Sequence, residues 1–143
     1  MGKARAVYGL LAPLLLIAGV CVYLVFRDLS GLLFFEWVPF LGFAKGTLVH
    51  LEPSVFADIV KFNLAGMLWL VSGVLFLRFV WFHRIATQRV YVWCFYALGA
   101  LVEISQLSEK VPGTFDLLDL AFMGAGALVE GLIYKAFAKR RIV

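Results

Sequence analysis

Histidine and cysteine are too few and too scattered in this sequence to carry metal or redox chemistry. Cys21 and Cys94 both lie inside apolar runs, where they read as small hydrophobes rather than as a disulfide pair or metal ligands. His50 and His83 complete no zinc-ligand spacing with them. No nucleophile-with-base signature and no dense metal motif is present. Charge is scarce too, at 15% of 143 residues, with a net charge of +4. The basic residues stand at the ends of apolar runs and form no soluble patch, which excludes nucleic acid as a partner. What remains is 64% hydrophobic, with mean hydropathy +0.97. Soluble domains average nearer half apolar, and here the excess is concentrated in long runs. The solvent for those runs is lipid.

The length suits a single domain, residues 1–143. A spanning helix needs roughly 20 mostly apolar residues, and four candidates stand out, at about 6–26, 60–82, 90–107 and 115–137. The first carries no charge and follows Lys3 and Arg5. Its apolar run is longer than the core of a secretory signal, and no small-x-small cleavage site follows, so it is expected to be an uncleaved span. Pro13 is a kink that neighbouring helices can tolerate. Between the first two spans runs LSGLLFFEWVPFLGFAKG, aromatic-rich and broken by Gly31, Pro39, Gly42 and Gly46. It is expected to be interfacial or re-entrant, because Trp and Phe favour the headgroup level. The fold class is therefore an all-α membrane protein of about four transmembrane helices with such a segment after the first.

Lys and Arg set the orientation. With four spans, Lys3, Arg5, Arg78, Arg84, Arg89, Lys135, Lys139, Arg140 and Arg141 fall on one side, and only Arg27, Lys45, Lys61 and Lys110 on the other. The positive-inside rule then puts both termini in the cytoplasm. Acidic residues show the reverse bias. Asp58, Lys61 and Asn63 open the second span, Glu103 and Gln106 close the third, and Asp116 and Asp119 open the fourth. At about 1.5 Å of rise per residue these reach a similar outer depth. Glu130 lies deeper and is expected to be paired, protonated or facing a wet cavity, since a charge at mid-bilayer costs roughly 2.5–3.5 kcal/mol. Asp116, Asp119, Met123, Gly126 and Glu130 form one stripe of the fourth span. The glycines Gly124, Gly126 and Gly131 would let another helix approach closely.

Each residue also has a plainer reading. Asp116 and Asp119 could cap the fourth helix or complement its positive end. Asn63 could be interhelical glue, worth on the order of 0.6 kcal/mol. Trp37, Trp69, Trp81 and Trp93 read as interface and packing residues. Glu103 lies inside an apolar run, so an interior polar site is the favoured reading there.

Glu103-Ile-Ser-Gln106, a short loop, Asp116-Leu-Leu-Asp119 and then Gly126 form an E-x-x-Q, D-x-x-D, glycine-rich-helix pattern. It resembles the VanZ-like membrane family. Trp37-Val38-Pro39-Phe40 looks like that family's N-L-I-P-F stretch, and Asn63 like the Asn that opens its second span. The resemblance covers roughly residues 30–131. Gly113, Met123 and Glu36 stand where the family usually has Arg, Asn and Asn, so a polar network wired differently, through Lys61 or Lys110, is expected. The resemblance implies a protein working near the outer membrane surface, in a family linked to teicoplanin resistance.

The first functional expectation is an outer-facing pocket for a polar ligand that is lipid-linked or related to the cell wall. Asn63, Glu103, Gln106, Asp116 and Asp119 would bind it. The carboxylates would accept hydrogen bonds or hold a divalent cation, with no other cofactor expected. The second is an enzyme acting on a lipid phosphate with Glu103, Asp116 and Asp119 as catalytic candidates. The third is a non-catalytic small subunit or assembly partner of a larger membrane complex. Membrane lipid is a partner in all three.

Overall fold

The computed structural model describes residues 2–26, 56, 59, 63–108 and 115–138. Those residues build four α-helices and no strand: α1 Lys3–Phe26, α2 Ala65–Val80, α3 Ile85–Ser105 and α4 Leu117–Ala138. Three of them, α1, α3 and α4, are long and apolar enough to cross a membrane; α2 is shorter, at 16 residues. The second span is expected over 60–82; its described α-helix is Ala65–Val80, and residues 60–62 lie outside the described residues. Asn63 and Leu64 lie in a wider π-type turn that opens α2, and the turn at 81–83 closes it. The third span begins earlier than expected, at Ile85, and its helix ends at Ser105. The aromatic segment over 29–46, together with Asp58, Lys61 and Lys110, lies outside the described residues.

Small residues decide how α1 meets α2. Ala4, Tyr8, Ala12 and Gly19 are its buried positions, recurring mostly every four residues, so they share one face of the helix. Ala4, Tyr8 and Ala12 pack with Val71, Leu75 and Phe82 in the core cluster. The Ser72 hydroxyl donates to the Ala12 carbonyl at 2.7 Å. At Gly19 a side chain would overlap the Trp69 indole, so only glycine permits this approach. Leu10, Leu14 and Ile17, on other faces of α1, are exposed. In lipid those faces cost nothing, since acyl chains are as apolar as leucine.

The helices run up, down, up, down. The N-terminal end of α1 meets the C-terminal end of α2, where Tyr8 and Phe82 rings lie 6.3 Å apart. The turn at 81–84 reverses the chain into α3, and α4 returns parallel to α2. Gly126 of α4 rests against Met67 and Val71 of α2 at distances that admit no extra methyl without movement. Consequently Lys3, Arg5, Arg78, Arg84, Arg89 and Lys135, all the described cations, gather at one end of the bundle. Glu103, Asp116 and Asp119 gather at the other.

Candidate functional site

The acidic end is built from the starts of α2 and α4 and the end of α3. Asn63 is buried in the π-type turn, 2% exposed, and its side-chain amide donates to Asp119 Oδ1 at 2.7 Å. A short amide-to-carboxylate bond of this kind is charge-assisted. Asp119 lies in the first turn of α4, and Asp116, just before the helix, does the capping. Asp116 Oδ1 accepts from the Leu118 amide at 2.9 Å, satisfying one of the otherwise unpaired N–H groups of a helix start. Glu103 Oε1 accepts from the Asp116 backbone amide at 3.2 Å, tying the end of α3 to the start of α4.

The structure therefore brings Asn63, Glu103, Asp116 and Asp119 together. Glu103 lies in the last turn of α3 and is half-buried rather than deep within an apolar run, because that helix ends sooner than expected. Gln106 is only the C-cap of α3, its backbone N–H bonded to the carbonyls of Glu103 and Ile104. Its side chain has no partner among the described residues. Asp116 has the capping role and Asp119 the interhelical one, which separates two residues that the sequence pattern treats as a pair.

Asn63, Glu103 and Asp119 face a shared cavity of about 190 Å³, walled also by Tyr23, Trp69 and Met123. The Tyr23 and Trp69 rings pack 5.5 Å apart. Acceptor oxygens dominate its polar wall, since each carboxylate has only one oxygen engaged by the bonds above. The cavity thus suits a donor-rich group, such as a hydroxylated or amine-bearing headgroup, with an aromatic surface to lie against. Among the described residues no three His, Cys, Asp or Glu side chains assemble as a metal cage.

No protein-family model, curated protein or solved structure matches this chain.

A second polar cluster lies towards the cationic end. Arg78 is buried in the last turn of α2, and its guanidinium grips Glu130 of α4 with two bonds: Nε to Oε1, and Nη2 to Oε2 at 3.0 Å. Gln88, fully buried at the start of α3, accepts from Arg78 Nη1 at 3.2 Å and returns a bond to the Arg78 carbonyl at 3.0 Å. The Tyr96 hydroxyl donates to Glu130 Oε2 at 3.3 Å, and the Tyr134 ring lies 3.9 Å from the guanidinium carbon. Glu130 is thus paired, as its depth demands. Its partner Arg78, which the sequence places among the cations of that side, turns inward to Glu130. Val71, Val74 and Leu75 share its buried face at helical spacing, and that periodicity was the available signal.

Proposed function

We propose that this chain is a VanZ-like membrane protein of four crossings, with both termini cytoplasmic. Its acidic end would hold the donor-rich headgroup of a lipid-linked or cell-envelope ligand at the outer face. The observation that carries this reading is the convergence of Asn63, Glu103 and Asp119 on one cavity, from three helices that an intramembrane carboxylate would otherwise have no reason to join. Its volume suits a headgroup rather than a whole drug-sized molecule, leaving the lipid tail outside among the helices. The antiparallel course of α1 and α2 supports the four-crossing count. The segregation of the described cations from Glu103, Asp116 and Asp119 supports the orientation.

The test is Glu103→Gln beside Glu103→Leu in purified protein. The protein would be titrated with lipid-linked saccharides and amino-headgroup lipids, with teicoplanin susceptibility of an expressing host as the cellular readout. Both variants should lose binding while inserting normally. Full binding by Glu103→Gln, with loss of stability only in Glu103→Leu, would leave the acidic end as a helix-packing device.

A further inference from the structure

The Arg78–Glu130 cluster forms one end of a second, larger cavity, which shares only Met123 with the cavity at the acidic end. It holds about 430 Å³ between α3 and α4, with α2 as its floor, which is within the ~300–1,000 Å³ range of ligand pockets. Its wall changes character along its length. Leu70, Ala100, Leu120 and Met123 make one end apolar, whereas Arg78, Tyr96, Glu130 and Arg89 gather at the other. From Leu120 to Glu130 the slot follows α4 for ten residues, about 15 Å at 1.5 Å each. That is a shape for a chain rather than a compact solute.

Among the described residues, the charges at the polar end are not balanced. Glu130 neutralises Arg78. Arg89 is exposed and has no ion pair or hydrogen bond among the described residues. Trp93 stands beside it, 72% exposed, the kind of side chain that settles at headgroup depth. Arg84 and Lys135 lie at the same end of the bundle. We infer that the α3–α4 crevice is a binding site for one anionic phospholipid of the leaflet at the cationic end. An acyl chain lies along Leu120 and Ala100, and the headgroup phosphate pairs with Arg89.

Gly124 provides the handle. It lines the slot, and a side chain built there would meet nothing within 4 Å. Bulk at this position fills the crevice without pressing on the helices.

The experiment reconstitutes the full chain in vesicles of equal phosphatidylglycerol and phosphatidylcholine, re-extracts it in mild detergent and counts retained lipids by native mass spectrometry. The wild type should retain one phosphatidylglycerol. Gly124→Leu should lose it. Arg89→Gln, a surface change that leaves the fold alone, should keep a lipid but lower the anionic preference by about fivefold, the weight of one cation at a membrane surface. Retention by Gly124→Leu at the wild-type level would overturn the site. A wild type without headgroup preference, or an unchanged preference in Arg89→Gln, would overturn the phosphate contact and with it the choice of ligand. None of these outcomes depends on what the acidic end binds.

Discussion

Cutting one side of the Arg78–Glu130 pair should harm the protein far more than removing both sides. Glu130→Leu leaves the buried guanidinium without two charge-assisted bonds, each worth about 1.5–3 kcal/mol. It keeps only Gln88 Oε1 at 3.2 Å and the Tyr134 ring. Arg78→Met strands the carboxylate, which is 2% exposed on its side chain, with only the Tyr96 hydroxyl at 3.3 Å. Breaking one partner of a buried pair costs about 3–5 kcal/mol, whereas replacing both with apolar groups of similar volume is often neutral. Arg78→Met with Glu130→Leu should therefore lie within about 1 kcal/mol of wild type, so the two single losses sum to several kcal/mol more than the double. Reversible unfolding in mixed micelles of all four proteins measures this cycle. Single variants that each lose less than about 1 kcal/mol, or a double variant as unstable as the sum, would refute the reasoning: the pair would then be no more than a solvated surface contact.

Gly126→Leu should destabilise the bundle by about 1–3 kcal/mol, because its side chain must displace Met67 and Val71, each 3.1 Å from where a Cβ would stand; thermal unfolding in detergent reads this. Ser72→Ala removes the bond to the Ala12 carbonyl and should cost only about 0.6 kcal/mol by the same measurement. A reporter fused after Val143 should score cytoplasmic, and an extracellular score would invert the assignment of both ends.

Four helices were legible because each is a long apolar run, and lipid imposes a length that sequence can be measured against. The acidic end was partly legible, since Asn63, Glu103 and Asp119 are brought to one level by helix direction and rise alone. Gln106, the C-cap of α3, does not line the cavity that Asn63, Glu103 and Asp119 share. Arg78 and Gln88 were missed for a different reason. An arginine near a helix end can extend outwards to headgroups or turn inwards, and the choice is made by which way that helix face points. Gln88 is recruited by the Arg78 and Trp81 carbonyls across a tight turn, and such backbone acceptors have no sequence signature.

The two polar ties between α2 and α4 also act as a ruler. Asn63 holds Asp119 at one end and Arg78 holds Glu130 at the other, so fifteen residues of one helix are matched to eleven of its neighbour. At 1.5 Å per residue these intervals are about 22 Å and 16 Å, and the long arginine side chain takes up much of the difference. Adding or deleting one residue between the ties would turn everything beyond it by about 100° and swing one anchor into lipid. Between the two ties, the residue count of α2 and α4 is thus locked.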